Sequence, residues 1–405
     1  MVPNVALGEL LDLSQYGLSV SSVDGGQYPM FKMNNFANGF MSDSGVDTVD
    51  LEYEEFSKYK LEYGDILFNR TNSIDLVGKT GVFTLKGNYV FASYLVRLKV
   101  NKEIADPFFL NYFMNFDRTK LRLRSLATKA VSQANINPTQ LKKLLRVPLF
   151  PLPEQRKIAK ILSTWDKAIS TTEKLIDASQ QQKKALMQQL LTGKKRLVDP
   201  DTGKVFEGEW ELTHLKSLLI EEKSRNKDNK ITRVLSVTNH SGFVLPEDQF
   251  SKRVASENIS NYKIVKQGQF GYNPSRLNVG SFACLNQFSE GVLSPMYVVF
   301  STNDSKLQRD YLSYWMDSHE AKQRIKNSTQ GSVRESVGFD ALCSFPFILP
   351  ALNEQQKIAS VLTAADKEIE LLQAKLAHLK DEKKALMQQL LTGKRRVKVD
   401  ENVTA

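Results

Sequence analysis

The chain has 405 residues, enough for two or three domains, and its 41% hydrophobic content supports real cores. The formal charge of +10 favours an anionic partner, with nucleic acid first. Only Cys284 and Cys343 are present, and His214, His240, His319 and His378 lie far apart. That argues against a disulfide framework or a zinc cluster, and suggests a reducing compartment. No apolar run approaches the ~18 residues of a membrane helix, and the N-terminus lacks a signal-peptide pattern, so a cytoplasmic protein without a membrane partner is expected.

Residues 1–150 read as a first globular domain with substantial sheet. Val90 to Val100 alternates like a strand, while Asn38-Gly39 and Lys86-Gly87-Asn88 mark turns. A long helix is expected over 151–194, where Leu162, Trp165, Ile169, Thr172, Ile176, Ser179, Leu186 and Leu190 follow a heptad seam with a polar middle. Pro153 precedes the run, Glu154 suits the positive end of the helix dipole, and Gly193 gives a stop. Residues 195–209, with Asp199-Pro200-Asp201-Thr202-Gly203-Lys204, form a polar linker. A second globular domain follows over 210–349, in which Met296 to Phe300 reads as strand. The second long helix, 350–394, carries Leu362, Ala365, Ile369, Leu372, Leu376, Leu379, Leu386 and Leu390 on the same steps, broken once at Lys383. The tail, 395–405, has no assignable role. Each helix of roughly 38 residues would be about 57 Å long.

The helices carry the strongest signal. Lys183 to Lys194 recurs without a change at Lys383 to Lys394, an offset of 200 that holds with no gap back to Glu154/Glu354. The two domains align only weakly: Gly64 to Arg70 faces Gly268 to Pro274, and Val77-Gly78 faces Val279-Gly280. Near-identical helices and diverged domains fit a shared task for the helices and two different tasks for the domains. The expected fold is α+β: two similar globular domains separated by two long helices that form an antiparallel coiled coil, an internal repeat with a pseudo-twofold axis.

This layout resembles the specificity (S) subunit of type I restriction-modification systems, over essentially the whole chain. Gly64-Asp-Ile-Leu-Phe-Asn-Arg-Thr-Asn-Ser with Leu76 to Thr80, Tyr272 to Gly280, Ser294-Pro-Met-Tyr and the helix start Pro151-Leu-Pro-Glu-Gln-Arg-Lys-Ile-Ala are similar to that family's strings. The resemblance implies a non-catalytic subunit whose two target recognition domains each read one half of a split, asymmetric DNA target. The helices would set the spacing and dock two methyltransferase (M) subunits. No cofactor is expected in this chain: S-adenosylmethionine would sit on the M subunit, and ATP and Mg on restriction (R) subunits. A ~57 Å rod would span up to about 17 base pairs of duplex.

Base edges are read by Arg, Lys, Asn, Gln, Ser and Thr, and phosphates by Lys, Arg and hydroxyls, so dense polar loops are the candidates. In the first domain these are Lys32, Asn34, Asn35, Asn69, Arg70, Thr71, Asn72, Ser73, Lys129, Ser132, Gln133 and Asn135. In the second they are Asn239, His240, Ser241, Asn273, Ser275, Arg276, Asn278, Gln330, Ser332 and Arg334. Arg70 and Arg276 are the leading pair. Lys183, Lys184, Gln188 and Gln189, with Lys383, Lys384, Gln388 and Gln389, are identical in both copies at positions expected to face solvent. That suits one partner docking twice.

Gly78-Lys79-Thr80 is not a P-loop, because Ser73 stands where the pattern needs glycine. Asn273-Pro274-Ser275-Arg276 lacks the second proline and the aromatic of an adenine-methyltransferase motif, and no Gly-rich cofactor loop accompanies it. Two rivals stay open at this stage: a targeting subunit for a fused methylase-nuclease chain, and a coiled-coil adaptor that binds only protein.

Overall fold

The computed structural model describes residues 2–129, 133–249, 258–329 and 336–399. It divides into two compact units, one of Met1–Glu173 with Ala374–Ala405 and one of Lys174–Gln373. The division cuts both long helices, Leu152–Leu190 and Leu352–Leu390. Each unit therefore holds one globular head, the start of the helix that follows it, and the end of the other helix.

In the first unit the central strand is Leu95–Val100, flanked antiparallel by Leu11–Tyr16 and Ile66–Asn69. Thr80–Val82 continues the sheet beyond Ile66–Asn69, and the hairpin Phe36–Ala37/Phe40–Met41 closes it. The hairpin turns on Asn38 and Gly39, both at positive φ, as the Asn-Gly pair predicts. The expected single strand Val90–Val100 is two strands. Val90–Phe91 pairs with Tyr28–Phe31 in a separate sheet, and a turn at 92–94 leads into Leu95.

Leu95–Val100 is buried on both faces, so its alternation sorts partners rather than core from solvent. Val96, Leu98 and Val100 join Ile66, Phe68, Phe109 and the helix residues Ile158, Leu162 and Leu390. On the opposite face Leu95 packs with Leu67, Phe31, Phe83 and Phe91, while Arg97 pairs with Asp65 at 2.8 Å. Full burial of one such apolar side chain stabilises by about 1.5–3 kcal/mol.

The second unit repeats this plan. Leu219–Glu221, Val298–Thr302, Phe270–Tyr272 and Phe282–Cys284 form an antiparallel sheet in the same order as their counterparts. The expected strand at 296–300 is thus shifted by two residues. The pair Glu211–His214/Pro346–Leu349 matches Asn4–Ala6/Arg146–Pro148. Helices Arg309–Asp317 and His319–Thr329 match Pro107–Asn115 and Asp117–Ser125. The 195–209 segment is folded rather than loose: Val198 bridges to Val205, and Phe206 is buried.

Within each unit the two helix segments run antiparallel, pairing Glu173 with Lys380 in the first. Ile158, Leu162, Ile169 and Thr172 are buried on one stripe, and the Thr172 hydroxyl donates to the Ala168 carbonyl at 2.8 Å. That internal bond lets a polar residue occupy a seam position at little cost. Both helices end at Leu190 and Leu390, within the expected segments 151–194 and 350–394 and just before the expected stop glycines. Gly193 and Gly393 then take φ of 69° and 71°, and their N–H groups donate to the carbonyls of Leu190 and Leu390. Among the described residues, no helix is long and apolar enough to cross a membrane, and no group of three or more metal-ligating side chains forms.

Candidate nucleic-acid interface and its anchorage

Three side chains repeated in both helices tie each unit together: a glutamine and an aspartate hold the head, and a glutamate holds the chain just past the end of the other helix segment. The first is Gln155, 1% exposed. Its Oε1 accepts from Asp106 N–H at 2.9 Å, and its Nε2 donates to the carbonyls of Ile104 and Phe150. Gln355 does the same with Gln308 N–H, Lys306 and Pro350. The second is Glu154, which accepts two bonds from Arg396 and one from Val397 N–H. Glu354 likewise takes two from Arg196 and one from the Trp210 indole. Bonding from the Arg396 guanidinium holds the Glu154 carboxyl below its usual range.

The third is an aspartate. Asp166 accepts from Lys383 Nζ and from the Tyr112 hydroxyl, both at 2.5 Å, with Lys383 also 5.5 Å from the Tyr112 ring centre. Asp366 holds Lys183 at 2.5 Å and Tyr314 at 2.8 Å, with Lys183 over the Tyr314 ring. Burial, then the carboxylate, raises the pKa of the Tyr112 hydroxyl, so it stays a donor; burial is the main cause at Tyr314 too. Lys183 and Lys383 therefore do not face solvent as expected. They fill the seam position read as a break, because an aspartate and an aromatic face on the opposing elements neutralise and cover each ammonium. Lys184, Gln188, Gln189, Lys384, Gln388 and Gln389 are exposed.

In the first head, the chain leaves strand Ile66–Asn69 through Arg70 into Thr71–Asn72. That strand pairs with Ala134–Asn135, which pairs with Thr128–Lys129. One small sheet thus gathers Arg70, Asn72, Asn135 and the Lys129 backbone, with Ser73 and Gln133 exposed beside it. Arg70 lies over the Tyr16 ring at 4.9 Å. The loop from Asn69 to Lys79 is closed by Gly78 N–H on the Asn69 carbonyl and by Asn69 N–H on the Lys79 carbonyl. Gly78 sits at φ 83°.

Several candidates are corrected. Asn35, Asn69 and Thr71 are buried at 3%, 0% and 8% exposure, so none presents its side chain to a ligand. The Asn35 amide instead holds a turn, accepting from Lys32 N–H at 2.8 Å and donating to the Ser44 carbonyl. Lys32 is paired with Asp47 and Ser22. Asn34 is exposed. The side chain of Lys129, and Ser132, lie outside the described residues.

In the second head, Asn239 to Ser241 form the tip of hairpin Ser236–Thr238/Gly242–Val244. Asn273 caps the short helix Pro274–Val279, its Oδ1 accepting from Ser275 N–H at 3.1 Å. The hairpin tip meets the end of this helix: a Cβ built on Gly280 would lie 3.6 Å from Asn239 Cβ. Asn239, His240, Ser241, Ser275, Arg276 and Asn278 are exposed together there, with Asn273 half-buried as the cap. Gln330, Ser332 and Arg334 lie outside the described residues. The chain just beyond them returns to this site, where Val337 N–H donates to the Pro274 carbonyl at 3.0 Å. Ile136 N–H makes the matching bond to the Arg70 carbonyl in the first head, at 2.9 Å. Both heads therefore use one scaffold to present different polar side chains.

The family model for the type I restriction modification DNA specificity domain matches residues 4–178 and 218–381. Among curated proteins, the chain is 29% identical to the putative type I restriction enzyme MjaX specificity subunit of Methanocaldococcus jannaschii, covering 97% of this chain and 93% of that one. It is 26% identical to the type I restriction enzyme MjaVIII specificity subunit of the same organism, covering 82% and 79%. The crystal structure of the type I restriction-modification S subunit from M. genitalium shares the fold, with a TM-score of 0.59 at 15% identity over 96% of both chains. This chain belongs to the type I restriction modification DNA specificity family. It is a specificity subunit with two target recognition domains, the non-catalytic DNA-recognition component of such a system.

Proposed function

We propose that each head reads one half of a bipartite, asymmetric double-stranded DNA target, and that the two long helices fix the distance between the halves. The observation that carries this reading is the shared scaffold with unshared side chains: Arg70, Asn72 and Gln133 on one head, Asn239, His240, Arg276 and Asn278 on the other. Two halves of one target need a common way of approaching DNA and different contacts to its bases.

The exposed repeated residues Lys184, Gln188, Gln189, Lys384, Gln388 and Gln389 are the docking surface for two methyltransferase subunits. Those subunits bring S-adenosylmethionine and methylate adenine N6. Restriction subunits, with ATP and Mg, join the same complex, which works in the cytoplasm. Long-read methylation sequencing tests the reading, in cells expressing the neighbouring methyltransferase with and without this chain. The expected result is a chain-dependent N6-methyladenine mark at a split motif, with exchange of residues 1–150 changing one half only. An active complex that leaves no chain-dependent mark refutes it.

A further inference from the structure

A cleft of about 1020 Å³ opens in the first unit between the head and the helix segments. Its carboxylates are already engaged. Asp166 holds Lys383, Glu173 holds Lys380 at 2.8 Å, Asp117 lies 3.9 Å from Lys384, and Asp106 caps Phe109 N–H. Five cations lining the cleft make no ion pair within 4.0 Å among the described residues: Lys79, Lys120, Arg156, Lys160 and Lys167. Lys79 and Lys120 come from the head, the other three from the first long helix, one and then two turns apart. Burial lowers the pKa of Lys120, and the charges of Lys79, Arg124 and Lys383 lower it further, opposed by Asp117. Positive charge is thus crowded in a partly desolvated place, which an incoming anion would relieve.

The second unit repeats this feature only at Lys367, the counterpart of Lys167. Its corresponding cavity is about 350 Å³, and Gln356, Ser360 and Asp310 line it where Arg156, Lys160 and Phe108 line the first. Ser281 follows Gly280 where Lys79 follows Gly78, and it is buried. On the matching helix, Lys322 is taken by Asp317 at 2.5 Å. An identical protein partner docking twice would meet two unlike clefts. A ligand engaged once, at the first head only, suits the difference. The Lys79 carbonyl also closes the loop that carries Arg70 and Asn72, accepting from Asn69 N–H.

We propose that this cleft holds backbone phosphates of the DNA flanking the first half-target, with Lys79, Lys120, Arg156, Lys160 and Lys167 as phosphate contacts. The inference rests on the DNA-reading role above and adds a sequence-independent anchor to one head only.

The test is the salt dependence of binding of the full chain to a duplex carrying the methylated motif, read by fluorescence anisotropy between about 50 and 200 mM salt. Lys160→Gln/Lys167→Gln is the principal variant, since both side chains are exposed and the fold does not depend on them. Lys120→Gln is the second. Each lost phosphate contact should lower the slope of log K against log salt by about 0.9, hence by about 2 in the double variant, with the methylated motif unchanged. Specific binding by the wild type with an unaltered slope in both variants overturns the cleft assignment and leaves the reading role standing. No specific binding by the wild type, alone or with its methyltransferase, overturns the reading role itself. An unaltered slope together with lost capture of the methyltransferase assigns the cleft to an acidic protein segment and also overturns the proposal.

Discussion

Replacing Asp166 by Asn and Lys383 by Met, singly and together, measures what the half-buried ion pair contributes to joining the two helix segments under the head. The two side chains are 17% and 19% exposed. A hydrogen bond to a charged group is worth about 1.5–3 kcal/mol, whereas an exposed pair is worth about 0–1. Partial exposure puts the expected coupling near 2 kcal/mol. Met keeps the Lys383 stem against the Tyr112 ring, and Asn keeps an acceptor for the Tyr112 hydroxyl, so the cycle isolates the charged contact. The matching pair, Asp366 with Lys183, is 35% and 20% exposed and should give about 1 kcal/mol, discounted for solvent screening. Urea unfolding, with separate fluorescence probes on the two units, supplies both numbers. A coupling within about 0.5 kcal/mol of zero in the first unit, or the reverse order between units, would show that the aspartates do not act as argued.

Gln155→Leu strips three buried partners at once and should destabilise the first unit by about 3 kcal/mol, seen as a lowered urea midpoint. Glu154 has a depressed pKa, so its contribution is fully present above about pH 4.5 and is lost as pH falls through the lowered value. The stability gap between wild type and Arg396→Met should therefore close as pH falls below about 4.5 and through the lowered value, and a gap that persists once Glu154 is protonated contradicts the assignment. Gly78→Ala forces a Cβ to within 3.2 Å of Leu123 at φ 83°. It should cost about 1–3 kcal/mol, and binding assays should show weakened recognition of the first half-target alone.

The helices were legible because heptad spacing and a 200-residue repeat are local signals that survive any packing. The heads were legible only as sheet-containing domains. Lys183 and Lys383 show why identity misleads. A residue kept in both copies reads equally as a docking contact or as an internal tie, and only the fold brings it to Asp366 or Asp166. One clue was in the chain: the lysine occupies the seam step, and each copy holds an aspartate at the same offset. Tyr112 and Tyr314 carried no such clue, since they lie in segments that barely align. Among the reading candidates, Gln133, His240 and Arg276 are exposed, Asn72 is half-buried in a short strand, and Asn35 and Asn69 are buried. Asparagine builds turns and interior corners as readily as it meets bases, and spacing alone does not separate the uses.

Beyond a shared apolar core, the repeated polar ties between each head and the helices are one tyrosine and the backbone groups that Gln155 or Gln355 grips. The glutamine, glutamate and aspartate belong to the repeated helices and are the same in both. The helices therefore work as a pair of matching sockets, and a head that carries the tyrosine and a complementary apolar face fits either. A head imported from a distant relative, or the first head cloned into the second position, meets the same fastening. Target specificity becomes a replaceable cartridge, free to differ at its outer loops while the socket is shared.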